Sequence, residues 1–175
     1  MQVMASAIDI HETVLNTWKT TNRTTIFLID HVPAELWNEK IPGSPRRTVG
    51  MIACHIHNIR CRWIKAIGKD LIAQAPARVD QHRARRAEVI RALHRSSHAM
   101  LQLLSASLSN GGKLPGTPAW LNFPNDVVHF LAYFVAHEGH HRGQIILLAR
   151  QLDHRLPASV TNGVWQWNKR LKETR

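Results

Sequence analysis

Apolar residues recur at three- and four-residue steps along most of this chain, and no stretch alternates apolar and polar positions between turns as a half-buried strand does. The pattern predicts an all-α fold. A first helix over 6–31 carries Ile10, Val14, Leu15, Trp18, Ile26 and Leu28 inward and stops before Pro33. The connection KIPGSPRR follows, where Pro42, Gly43 and Pro45 exclude regular structure. Thr48 suits the N-cap of a second helix over 48–67, striped by Val49, Ile52, Ile56, Ile59 and Trp63, with Gly68 at its end. A third helix is expected over 79–107, with Val89, Leu93, Met100, Leu103 and Leu104 inward. SNGGKLPGTPAWLNFPN then reads as a loop, and Asn125 or Asp126 caps a fourth helix over 125–152. After Pro157, residues 161–173 form a short helix or tail. Four long amphipathic helices with substantial connections predict a four-helix bundle, one domain over 1–175.

Charge adds a question about partners. Lysine and arginine number 23 against 12 acidic residues, a formal charge of +11, so an anionic partner or substrate enters consideration. Arg78, Arg83, Arg85, Arg86, Arg91 and Arg95 form a basic band that could meet nucleic-acid phosphates. No aromatic residue interleaves it and no DNA-reading motif accompanies it, so a solvated helix face is the simpler reading. The N-terminus has no signal-peptide pattern, and no run approaches the ~18 apolar residues of a membrane span. The two cysteines, Cys54 and Cys61, lie about 10 Å apart along one helix and cannot bond to each other. A reducing, cytoplasmic setting is the expectation.

The chemistry lies in the histidines. His137 and His141 stand four apart on the fourth helix, one turn from each other on one face, a spacing that suits a single metal ion. His140 points away. On the second helix His55 falls beside the stripe of Ile52, Ile56 and Ile59, which makes it the expected third ligand, since bundles build metal sites from facing helices. His57 faces nearly the opposite way together with Cys54 and Cys61, a face suited to a partner helix or to a second copy of the chain in a homodimer. Trp63, Trp165 and Trp167 either line a cleft at the bundle mouth or pack. His11, His31, His82, His94, His98, His129 and His154 lack a constellation and read as surface or capping residues.

Residues 137 to 141 also satisfy H-E-x-x-H, the zinc peptidase signature in which the glutamate is general base. Against that reading, Asp153 and His154 follow without a recognisable third-ligand spacing, and no strand is available to hold a peptide. A longer match exists. RTVGMIACHIHNIRCRW and, further on, HFLAYFVAHEGHHRGQIILLARQL resemble the DinB/YfiT-like family of metal-binding four-helix bundles. In that pattern one histidine follows a Thr/Ser-aliphatic run, which selects His55, and two stand as H-x-x-x-H before R-G-Q-I, which selects His137 and His141. The resemblance spans most of the chain, although its specific residues lie in these two segments.

Three neutral imidazoles leave a divalent ion its charge and open positions, as catalytic sites do. Zinc or nickel leads, with iron or manganese also compatible. Glu138 is a candidate partner of the ligands or proton acceptor, and Gln144 and Arg142 are candidates for orienting ligands or substrate. The resemblance implies an enzyme in which the metal activates a low-molecular-weight thiol for transfer to a small electrophile. Metal-dependent hydrolysis of a small substrate is the alternative, and a non-enzymatic basic nucleic-acid-binding bundle the third reading.

Overall fold

A computed structural model describes residues 7–40, 43, 47–68, 75–116 and 122–174. It contains α1 (Ile10–His31), α2 (Val49–Ile67), α3 (Arg86–Ser109), α4 (Val127–Gln151), α5 (Ala158–Thr161) and α6 (Trp167–Lys172), with 3-10 turns at Ala34–Trp37 and Gly163–Trp165. No strand occurs among the described residues, only an isolated bridge between Lys113 and Asp126. The fold is an all-α bundle. No helix among the described residues is long and apolar enough to cross a membrane.

The helix starts follow from capping chemistry. Asp9 accepts the Glu12 N–H at 3.1 Å, Thr48 Oγ1 the Met51 N–H at 3.2 Å, and Asp126 Oδ1 those of Val128 and His129 at 3.0 and 2.9 Å. Because Asp9 caps α1, its first helical residue is Ile10, not residue 6, and Ile10 is exposed. Between α3 and α4 the chain turns at Gly112, whose φ of +82° is a left-handed conformation and whose N–H reaches back to the Ser107 carbonyl at 2.9 Å.

The third helix begins seven residues later than its periodicity predicts, at Arg86. The reason is a competing set of hydrogen bonds. Asn58 on α2 accepts the Val79 N–H at 2.9 Å and donates to the Val79 carbonyl at 3.0 Å, as a neighbouring strand would. His57 Nε2 donates to the Ala77 carbonyl at 3.0 Å, and its Nδ1 accepts from Ser96 Oγ at 3.1 Å. Residues 75–80 are therefore an extended arm strapped across α2, closed by a turn in which Asp80 Oδ1 accepts the His82 N–H at 2.8 Å. This arm and α3 cover the face of α2 that carries Cys54, His57 and Cys61, all three of them buried. The expectation of a partner helix on that face is met from within the chain. The homodimer expected from the sequence would therefore use a surface other than these three side chains.

α1 and α2 each pack against both α3 and α4, so α1 and α2 stand across the bundle from each other. The core is divided in two. One apolar cluster gathers Leu28, Ile29, Ile52, Ile56, Leu93, Ile145 and Leu148; the other gathers Trp18, Trp63, Met100, Leu103, Phe130 and Phe134. Between them, at the same level on all four helices, lies a buried polar layer of Asn22, Thr25, Arg60, Ser96 and Glu138. Arg60 donates through Nε and Nη2 to the two Glu138 oxygens at 2.7 and 2.8 Å, and through Nη1 to Asn22 Oδ1 at 2.8 Å. Its guanidinium also lies 4.7 Å from the Trp18 ring centroid.

Asn58→Ala removes both bonds to Val79 and leaves a part-buried backbone amide unpaired. A loss of about 1–3 kcal/mol is expected in urea unfolding, with the fastest gain in hydrogen–deuterium exchange at residues 77–80. Unchanged exchange there would show that the arm is held by other contacts.

Candidate metal centre

His55 projects from α2, and His137 and His141 from successive turns of α4, into the seam between these helices. One nitrogen from each ring lies within 4.8 Å of the others, so the three could hold a metal ion. The ring centroids stand 4.5 Å apart for His137 and His141, 4.7 Å for His55 and His141, and 5.4 Å for His55 and His137. The Nε2 atoms of His137 and His141 are 3.2 Å apart. Two nitrogens sharing a tetrahedral zinc at about 2.0–2.1 Å stand roughly 3.3 Å from each other, so this pair has the right spread.

The surroundings decide which nitrogens can ligate. His141 Nδ1 lies 2.8 Å from the Gln144 amide oxygen, an acceptor only, so Nδ1 carries the proton and Nε2 keeps its lone pair. The Gln144 amide nitrogen in turn donates to His140 Nε2 at 2.9 Å. Gln144 is thus the orienting residue for one imidazole. His137 is held by stacking on Tyr133, at 5.5 Å between centroids and 21° between planes, and its Nδ1 is buried with no hydrogen-bond partner.

All three imidazoles are kept neutral. Burial pulls the pKa of His137 down to about 4, with the neighbouring His141 and His55 adding to the effect. Burial also lowers His55, reinforced by His141 and Arg47, and it lowers His141, which the bond to Gln144 partly offsets. Neutral imidazole is the form that ligates a cation, so the donor set fits a divalent ion.

Glu138 belongs elsewhere. Its carboxylate is fully buried and turned into the polar layer, where it accepts from Arg60 and, at 2.6 Å, from Thr25 Oγ1. A general base needs a lone pair facing the reacting atoms, and these are already bonded away from the pocket; the H-E-x-x-H peptidase reading loses its base. Arg142, expected to orient ligands or substrate, donates to the same Thr25 Oγ1 at 2.9 Å in the seam of α1 and α4. His140 is exposed, as its helical position predicts. The Cys54 and Cys61 thiols are pushed up by burial to about 12 and about 11, so neither serves as a nucleophile near neutral pH.

A cavity of about 240 Å³ opens in front of the histidines, lined by Arg47, Met51, Ile52, His55, Gln81 and His141. Trp63 packs instead against Phe123, Phe130, Tyr133 and Phe134, and Trp165 and Trp167 lie exposed outside this cavity. In the basic band Arg78, Arg83, Arg85, Arg91 and Arg95 are exposed, while Arg86 lies over Trp37 at 5.8 Å. Sequence reasoning missed Arg60, Thr25, Arg47, Gln81 and Tyr133. Arg60 alone left a signal, a charge four residues after Ile56 on the apolar stripe of its helix.

The model of the DinB family matches residues 1–169, and the chain belongs to that family. No curated protein matches it.

Two outcomes follow from this geometry. Each imidazole binds its proton less readily in the folded than in the unfolded chain, so the unfolded state takes up more protons as pH falls. Stability of the metal-free protein is therefore full above the ordinary histidine value of 6.5 and falls as pH drops toward about 4. Thermal melts across that window will show the slope, and His137→Leu will flatten it. Glu138→Gln leaves the Arg60 charge buried with a weakened partner. A loss of about 3–5 kcal/mol is expected in denaturant titration, larger than for Arg60→Met with Glu138→Leu combined.

Proposed function

We propose that this DinB-family chain binds one divalent ion, zinc or nickel, through His55, His137 and His141, and transfers a low-molecular-weight thiol to a small electrophile. The observation that carries this is the convergence of three neutral imidazoles on one point beside an open cavity. The ion supplies positive charge that lets a thiol or water beside it lose its proton more readily. Gln144 fixes the His141 tautomer, so that Nε2 offers its lone pair without a rearrangement. Met51 and Ile52 form an apolar wall beside the reacting groups. In the net reaction the thiol proton goes to solvent, sulfur bonds the electrophilic carbon, and the leaving group departs with its electron pair.

Hydrolysis of a small substrate is the second reading. What favours thiol transfer is the cavity itself: among its described lining residues none carries a carboxylate, and Glu138 is bound to Arg60. A weakly acidic water gains more from a general base than a thiol does, because the thiol is already close to ionising.

Elemental analysis of purified protein should find about one equivalent of metal per chain, lost in both His55→Ala and His137→Ala. Turnover of small electrophiles should require added thiol. Absence of metal from wild type even after reconstitution would overturn the metal reading, and thiol-independent turnover would move the assignment to hydrolysis.

A further inference from the structure

The cavity in front of the histidines carries one feature that a metal site does not need. Arg47 lines it together with Met51 and Ile52, two residues ahead of α2, whose N-cap is Thr48. Its charge is close enough to weigh on both His55 and His141. Among the described residues Arg47 has no ion pair, and none that lines the cavity with it is acidic. Gln81 also lines it, from the turn that follows the arm strapped across α2 by Asn58 and His57, with its amide nitrogen 3.3 Å from His82 Nε2. A guanidinium and a primary amide together present cationic and neutral N–H donors, with a single carbonyl acceptor between them.

Such a rim is matched by a carboxylate, which takes two N–H bonds from a guanidinium and a further one from an amide. An ammonium group would meet like charge from Arg47, and a neutral hydroxyl would use little of what the rim offers. The volume of about 240 Å³ lies below the roughly 300–1,000 Å³ of sites for drug-sized ligands, so the molecule is small. We infer that the site selects a small organic anion, its carboxylate held by Arg47 and Gln81 at the rim while its reactive group faces His55 and His141. This rests on the metal and thiol reading above, and it assigns Arg47 and Gln81 as specificity-determining residues and Asn58 as a positioning residue.

The test uses the full chain loaded with cobalt(II) and three short thiols that differ in the charge of their far end: 3-mercaptopropionate, 2-mercaptoethanol and cysteamine. The sulfur-to-cobalt absorption band gives a Kd for each. Wild type should favour 3-mercaptopropionate over 2-mercaptoethanol by about tenfold, the worth of one charge-assisted contact, and should bind cysteamine most weakly. Arg47→Met should erase the margin for the anion while leaving 2-mercaptoethanol unchanged, and Arg47→Lys should keep part of it. Gln81→Ala and Asn58→Ala should each reduce the margin less than Arg47→Met does. Equal weakening of all three thiols by Arg47→Met, or no preference in wild type, overturns the inference. If cobalt binds but no thiol gives the band, the thiol reading fails on its own. Propionate against n-propanol, followed by NMR shifts of the Gln81 side-chain amide in the wild-type and Arg47→Met chains, then decides the anion preference without thiol or metal: shifts with propionate that vanish in Arg47→Met support it, and their absence overturns it.

Discussion

A single buried ion pair organises this bundle. Arg60 and Glu138 are both fully shielded from water, and each would be costly to bury alone. Other polar groups of the layer meet part of that cost: Asn22 and the Leu93 carbonyl accept from Arg60, and Thr25 donates to Glu138. Because these groups come from α1, α2, α3 and α4 at once, the pair fixes the register of all four helices against sliding or rotation. Apolar side chains above and below the layer could repack with a shifted register at modest cost. The ion pair could not, since a displacement of one turn would leave an uncompensated charge in the core.

The histidines inherit that register. Glu138 follows His137 directly and precedes His141 by three residues, so the rotation that aims the carboxylate at Arg60 also sets which way the two imidazoles leave α4. Arg60 lies five residues beyond His55 on α2 and does the same for the facing helix. Three nitrogens from two facing helices then meet within 4.8 Å. The glutamate of H-E-x-x-H contributes here as a strut behind the ligands, turned away from the cavity. The letters of the zinc-peptidase signature are present, but here the glutamate is buried and paired with Arg60.

Much of this was legible in the sequence, and the exceptions have physical causes. Apolar periodicity and capping residues located α2 and α4 to within two residues, because Thr48 and Asp126 cap where their chemistry allows and little competes with them. The convergence of His55, His137 and His141 was legible because helical geometry turns spacing into direction. The start of α3 was not: Val79 and the residues around it are compatible with helix, and only the distant Asn58 and His57 draw them into an arm. Nothing local encodes a hydrogen bond made across twenty residues. The arm's share in covering the second face of α2 stayed hidden for the same reason. Arg47 and Gln81 also stayed hidden, as residues outside the helices have no periodicity from which to read their direction.

The sealing of Cys54 and Cys61 acquires a meaning once the chemistry in front of the histidines is considered. Both sulfurs sit beneath the arm and α3, protonated and almost without solvent contact, within a few residues of a site read as handling electrophiles. A thiol attacks an electrophile only as thiolate and only where the reagent can reach it. The strap that helps shape the cavity rim therefore also seals both thiols from reagents in solvent.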